Sequence, residues 1–146
     1  MTSKTVSFIN GPNLNTLGSR EPLIYGTATL DEINGRLRAL AENFGFIPDF
    51  FQSNSEGGII DYIQSVTGKS QAIIINPGAY AHYSVAIRDA IAASGIPAVE
   101  VHLSNIYRRE DFRHKSVTAG VCEGVICGLG ACGYELALTY FHNKFN

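Results

Sequence analysis

The sequence of 146 residues lacks the features that mark membrane, secreted and nucleic-acid-binding proteins. No apolar run reaches transmembrane length, and no basic segment followed by an apolar core opens the chain, so we expect neither a membrane span nor a secretory signal. The net charge of -2 gives no electrostatic reason to expect nucleic acid or an anionic membrane as a partner. Together these features predict a cytoplasmic protein.

Cysteine is also scarce. The three cysteines are Cys122, Cys127 and Cys132, and an odd number confined to one region argues against a disulfide framework. Their even spacing matches no zinc-binding pattern. We therefore expect no metal site, and we interpret Cys122 and Cys127 as small hydrophobic residues in an apolar run.

Charged residues are few as well, at 16% against 45% hydrophobic residues. This composition is typical of a globular chain, and the length suits one domain, here residues 1–146, with a core that needs no cross-links. A chain with so little surface charge often buries part of its surface in an oligomer, although composition alone is a weak indication of this.

One long loop organises the rest of the chain. Residues 9–26 read INGPNLNTLGSREPLIYG, far longer than a connection between a strand and a helix requires. Its leucines and isoleucines provide apolar anchors, which argues against disorder. We interpret it as a catalytic loop with a lid, in which Asn13 lies at the base, Arg20 on the mobile part and Tyr25 where the loop rejoins the body.

Apolar periodicity predicts an alternation of strands and helices around this loop. The predicted strands are residues 4–10, 46–52, 71–76, 97–102 and 121–128, and the predicted helices are residues 30–44, 55–66, 84–94 and 134–141. The polar segment 103–116 is predicted to be a loop or a short helix. Five repeats of strand and helix indicate an α/β fold with a parallel sheet and helices on both faces.

Polar side chains collect at the ends of three predicted strands. They are Asn10 and Asn13 after the first strand, Asn76 and His82 after the third, and Glu100, His102 and Ser104 at the end of the fourth. Each of these residues alone could satisfy turn backbone or lie on the surface. If the strands are neighbours, however, all of them converge on one cleft at the carboxyl edge of the sheet, where such folds bind ligands.

Two residue pairs suggest acid–base chemistry, one on the fourth strand and one on the long loop. Glu100 and His102 are two residues apart on a strand, so both point to one face, where the carboxylate can orient the imidazole and favour its protonated form. Tyrosine is a weak base at neutral pH, but a guanidinium such as that of Arg20 favours the phenolate of Tyr25. The alternatives are an incidental ion pair on a half-exposed strand and a tyrosine that only packs the lid.

Five collinear blocks resemble the type II 3-dehydroquinate dehydratases and cover essentially the whole chain. The blocks read INGPNLNTLGSREPLIYG, FQSNSEG, INPGAYAHYSVAIRDA, VEVHLSNIYRREDFRHKS and GVICGLGACGY. The resemblance implies a flavodoxin-like three-layer sandwich with strand order 2-1-3-4-5. It also implies trans elimination of water from 3-dehydroquinate through an enolate, without metal, Schiff base or organic cofactor. No lysine stands at the polar strand ends, which agrees with a mechanism without an imine.

The resemblance also implies roles for single residues. Tyr25 matches the base, Arg20 the group that stabilises its phenolate, Asn13 the holder of a water that meets the enolate, His102 the acid and Glu100 its orienting partner. Substrate-binding positions are matched by Asn76, His82, Leu103, Ser104 and Arg113. Asp89 matches a residue that reaches a neighbouring subunit's site, which implies a dodecamer built from trimers, although spacing alone favours an exposed helix position. Ser19 and the Tyr107-Arg108-Arg109 run depart from the usual family pattern.

A ligand-binding module without catalysis is the rival hypothesis, because fold alone does not fix function. A phosphate-accepting receiver domain needs clustered acidic residues at the ends of early strands, and here those positions hold Asn10 and Gln52. A flavin-binding domain usually offers a Ser/Thr-rich loop after the first strand, whereas this chain offers Pro12, Asn13 and Leu14. Both departures favour the enzyme.

Overall fold

A five-stranded, all-parallel sheet forms the centre of the molecule, for which a computed structural model describes residues 3–146. The order of the strands is β2-β1-β3-β4-β5, which confirms the predicted flavodoxin-like topology. The strands are β1 Lys4–Asn10, β2 Phe46–Gln52, β3 Ala72–Asn76, β4 Ala98–His102 and β5 Gly124–Cys127. The chain passes from β1 to β2 on one side of β1 and then crosses to β3 on the other side. The switch point therefore lies between β1 and β3.

Helices cover both faces of the sheet. The helices are α1 Pro22–Tyr25, α2 Leu30–Asn43, α3 Glu56–Val66, α4 Val85–Ser94 and α5 Cys132–Phe145. Side chains alternate along each strand, so Phe8 packs into the core beneath α2 and α5 while Ile9 packs into the core beneath α3 and α4. In β4, Val99 and Val101 belong to the first core and Ala98 to the second, and this alternation directs Glu100 and His102 to the α3/α4 face.

Hydroxyl caps fix where three of the helices begin. Thr29, Ser55 and Ser84 each accept a hydrogen bond from the backbone N–H three residues later, at 3.0 to 3.1 Å. These starts agree with the predicted helices. None of the helices in residues 3–146 is both long enough and apolar enough to cross a bilayer.

The C-terminal part departs most from the predicted elements. Strand β5 is shorter than predicted because Ala119–Val121 forms a 3-10 turn, which packs Val121 and Cys122 against the α3/α4 core. Helix α5 is longer than predicted and extends to Phe145, whose ring packs on Phe141 and Phe46. The segment after β4 contains two 3-10 turns, Ile106–Arg108 and Asp111–Arg113.

Candidate active site

A polar cavity of about 190 Å³ opens at the carboxyl edge of the sheet, beside the switch point between β1 and β3. Four segments line it: the loop after β1, the turn after β3, the end of β4 and the turns that follow β4. The lining side chains include Asn13, Arg20, Tyr25, Asn76, His82, His102, Leu103, Ser104, Arg109 and Arg113. The strand ends therefore converge as the sequence predicts.

Two of the loops that line this cavity approach each other closely through their backbones. The N–H of Gly11 donates to the carbonyl of Asn76 at 2.8 Å. A Cβ at residue 11 would lie only 2.5 Å from the carbonyl oxygen of Pro77. Only glycine allows the loops after β1 and β3 to meet at this distance.

A buried polar network joins the same two loops to helix α5. The Tyr134 hydroxyl donates to Asn10 Oδ1 at 2.5 Å and accepts from Asn76 Nδ2 at 3.0 Å. Asn76 Oδ1 in turn accepts from the backbone N–H of Gly78 at 3.1 Å. All three side chains are buried, and burial raises the pKa of the Tyr134 phenol. The network fixes the rotamer of Asn76 at the cavity.

The loop between β1 and α2 contains the two non-glycine residues with positive φ among residues 3–146. They are Asn13 at 68° and Glu21 at 37°. Asparagine tolerates this region, whereas glutamate there is strained, and such strain concentrates at functional sites. Leu14 and Leu17 anchor the segment in the core, while Leu23 is fully exposed on α1. The segment is thus held at its base and open at its tip.

Two guanidinium groups contact Tyr25. Arg20 Cζ lies 4.6 Å from the centroid of the tyrosine ring. Arg109 Nη1 donates a hydrogen bond of 2.7 Å to the tyrosine hydroxyl, and its Cζ lies 5.3 Å from the ring centroid. The direct partner of the hydroxyl is therefore Arg109, whereas Arg20 contacts the ring face. Two cationic groups therefore lie against one phenol ring.

Glu100 and His102 form a buried pair. His102 Nε2 donates to Glu100 Oε2 at 2.8 Å, and the Glu100 side chain is fully buried. Burial alone would raise the pKa of Glu100, yet the hydrogen bond and charge of His102, with hydrogen bonds from Thr118 and Ser116, bring that pKa below its usual value. The carboxylate stays ionised behind the ring, and Nδ1 is the ring nitrogen left to act on a substrate.

His82 and Arg113 stand beside this pair. The rings of His82 and His102 stack with centroids 6.1 Å apart. His82 Nδ1 lies 2.8 Å from the carbonyl oxygen of Lys115. Burial, with the nearby charges of His102 and Arg113, lowers the pKa of His82 below its usual value, so the His82 ring is neutral at pH 7 and serves as a hydrogen-bonding group.

Nine of the eleven predicted site residues line the cavity. Glu100 lies directly behind His102 rather than in the cavity wall. Asp89 is exposed on α4 and does not line the cavity of its own chain. Arg109 lines the cavity but is not among the residues predicted from the sequence. Three arginines lie between residues 108 and 113, and nothing in their spacing tells which one faces Tyr25. No cluster of three potential ligands within residues 3–146 could hold a metal ion.

The sheet order and this cavity define a flavodoxin-like α/β protein with an acid–base site, and comparison with known proteins makes the class specific. The family profile described as Dehydroquinase class II matches residues 4–142. The chain is 57% identical over 135 residues to a 3-dehydroquinate dehydratase of Halalkalibacterium halodurans, covering 92% of this chain and 93% of the relative. It is 52% identical over 143 residues to 3-dehydroquinate dehydratase 2 of Pseudomonas aeruginosa, covering 98% and 97%.

A solved structure agrees with these matches. The crystal structure of a type II dehydroquinase from Propionibacterium acnes superposes with a TM-score of 0.93 at 42% identity, over 97% of this chain and 98% of the other. The chain belongs to the class II dehydroquinase family, which confirms the resemblance found in the sequence.

Proposed function

We propose that this chain is a hydro-lyase that removes water from 3-dehydroquinate by trans elimination and yields 3-dehydroshikimate, a step of the shikimate pathway. The observation that carries the proposal is that a potential base, Tyr25, and a potential acid, His102, line one cavity. Family membership and the names of the relatives support the choice of substrate.

The first step is the removal of a proton from the carbon beside the ketone. Such a proton is weakly acidic, so the site needs a strong base and a means of stabilising the enolate. We assign the base to the phenolate of Tyr25, which Arg109 and Arg20 stabilise by charge. The electron pair of the broken C–H bond forms the enolate, whose oxygen is stabilised by a water that Asn13 holds.

The second step expels the hydroxyl group. The enolate electrons reform the ketone and produce the carbon–carbon double bond, while His102 donates a proton so that the hydroxyl leaves as water. Glu100 orients the ring and compensates its charge from behind. Because the acid and the base are separate groups on separate elements, each can be removed without removing the other.

Substrate binding is assigned to the remaining polar groups of the cavity, which are Asn76, His82, Arg113 and the backbone at Leu103 and Ser104. A polyhydroxylated acid needs several fixed donors and acceptors, and this set supplies amide, imidazole, guanidinium and backbone groups. Arg113 is held by an ion pair of 2.7 Å with Glu110, which orders its guanidinium at the rim.

We extend the proposal to the assembly, a dodecamer built from trimers in which Asp89 completes a neighbouring subunit's cavity. Asp89 is exposed and lies on α4, outside the cavity of its own chain. Val85, the first residue of the same helix, is 57% exposed, and Tyr83, two residues before it, is 63% exposed. Burial of these two side chains would favour association.

Mixed assemblies test the role of Asp89. Asp89→Ala and Tyr25→Phe chains, co-expressed and isolated as mixed oligomers, should regain turnover above that of either variant alone, because some cavities combine Tyr25 of one chain with Asp89 of the other. No gain in verified mixed oligomers would contradict a shared site, and the mass of the wild-type particle tests the dodecamer.

The remaining parts of the proposal concern the whole chain. Residues 1–146 act as one catalytic domain, in the cytoplasm, without a metal or an organic cofactor and without a nucleic-acid or membrane partner. Cys122 takes no part in catalysis, because partial burial and the nearby Glu100 charge raise the pKa of its thiol to about 12.

Turnover of 3-dehydroquinate tests the function directly. Purified protein should convert it to product, followed by the ultraviolet absorbance of the new enone, and borohydride should not inactivate it because no imine forms. Tyr25→Phe and His102→Ala should each abolish turnover while the fold is kept. A folded wild-type protein that is coloured by flavin and leaves 3-dehydroquinate unchanged would favour a ligand-binding module instead.

A further inference from the structure

Two hydroxyl side chains that the mechanism does not use hold the Glu100 carboxylate. Ser116 Oγ donates to Glu100 Oε2 at 2.7 Å, and Thr118 Oγ1 donates to Glu100 Oε1. With His102 Nε2 on Oε2, the two oxygens receive three donors in a fully buried position. Each hydroxyl has one proton, so both protons are committed to the carboxylate and the 3.1 Å contact between the hydroxyls adds no further donation.

The segment that carries these hydroxyls is fixed at points outside the pair. The backbone N–H of Val117 donates to the carbonyl of Ala81 at 2.7 Å, and Arg88 Nη1 donates to the carbonyl of Val117 at 2.7 Å. Ser116 Oγ also accepts from the backbone N–H of Ala119 at 3.0 Å. The hydroxyls are therefore placed by the turn after β3 and by α4, independently of Glu100.

We propose that Ser116 and Thr118 are positioning residues that hold Glu100 as a carboxylate and thereby keep the His102 ring oriented as the acid. The inference rests on the proposed function. A buried carboxylate that loses a donor is less stable as an anion, so Glu100 would compete with His102 for the proton that the pair shares. Loss of either hydroxyl should therefore weaken the acid without removing it.

Other charged and titratable groups face this pair and must be unchanged in the test. They are His82 from the turn after β3, Arg113 from the turn Asp111–Arg113, Cys122 after the turn Ala119–Val121, and Arg20, Tyr25 and Arg109 across the cavity. None of them is altered by a substitution at residue 116 or 118, so a change in the pH profile of those variants reports on the carboxylate.

Thr118→Val is the informative variant because it keeps the branched shape and removes only the hydroxyl. We expect kcat to fall about tenfold or more, with KM within about twofold, as the loss of a hydrogen bond to a charged group predicts. The alkaline limb of the kcat–pH profile should move to higher pH, because a carboxylate with fewer donors makes the buried pair hold its proton more tightly. Ser116→Ala should shift the limb in the same direction.

Two controls separate positioning from folding. Thr118→Ser restores the hydroxyl and should restore the wild-type limb. Thr139→Val, which removes a hydroxyl bonded to the Glu135 carbonyl at 2.9 Å on α5 outside the cavity, should leave the profile unchanged. If Thr118→Val does not fold, the profile of Ser116→Ala decides the question.

A second readout does not depend on turnover. In protein labelled at its four histidines, the NMR titration midpoint of the His102 ring, assigned with a His102→Ala variant, should move to higher pH in Thr118→Val and stay in place in Thr118→Ser. Folded Thr118→Val protein with a wild-type pH profile and an unmoved midpoint would overturn the inference. If the wild-type protein does not turn over 3-dehydroquinate but Thr118→Val still moves the midpoint, the proposed function would be overturned. The role of Ser116 and Thr118 in holding Glu100 would stand.

Discussion

Arg109→Ala tests how the base is made strong enough for its task. In the structure Arg109 Nη1 donates to the Tyr25 hydroxyl at 2.7 Å, while Arg20 lies over the ring. A hydrogen bond to a charged group contributes about 1.5–3 kcal/mol, so its loss should lower kcat by about 10- to 150-fold.

Arg108→Ala provides the matched control. Arg108 precedes Arg109 and carries the same charge, but it is exposed and does not line the cavity. The enone assay on both variants, with the substrate concentration and pH varied, separates kcat from KM. The reasoning would be refuted if Arg109→Ala kept kcat within about twofold of wild type, or if Arg108→Ala lost as much, since that would assign the effect to net charge rather than to the hydrogen bond.

Three further substitutions test the scaffold of the site by urea unfolding and turnover. Tyr134→Phe leaves the two asparagines bonded to its hydroxyl without that partner, so stability should fall by about 1–3 kcal/mol; an unchanged midpoint would show that the network contributes nothing. Gly11→Ala places a Cβ 2.5 Å from the Pro77 carbonyl and should lower stability by about 1–3 kcal/mol and turnover more than tenfold. Gly35→Ala on α2, where a Cβ meets nothing within 4 Å, should instead raise stability by about 0.5–1 kcal/mol without changing turnover.

The sequence predicts the framework of this fold closely because the framework depends on local signals. Strands β1 and β2 have the predicted bounds, and Thr29, Ser55 and Ser84 cap helices where the patterns begin. Apolar patterning failed at residues 121–123, since an apolar residue packed beneath a 3-10 turn resembles one in a strand.

The site was predictable where residues occupy strand ends and not where long side chains reach across space. Asn76 and His102 are positioned by the ladder itself, and parallel strands bring their carboxyl ends together. Arg109 comes from an irregular segment and reaches Tyr25 across 84 positions of the chain. Thr118 likewise reaches Glu100 from a loop whose path is set by contacts with Ala81 and other residues outside it. No periodic pattern encodes such contacts.

The separation of base and acid is the central claim, and hydrogen exchange at the carbon beside the ketone tests it most directly. With 3-dehydroquinate in deuterated water, NMR should show that His102→Ala still exchanges this hydrogen while forming no product, because Tyr25 can still make the enolate. With the Tyr25→Phe variant, this hydrogen should exchange no faster than it does in substrate without protein. Equal exchange in the two variants would contradict the assignment of the base to Tyr25.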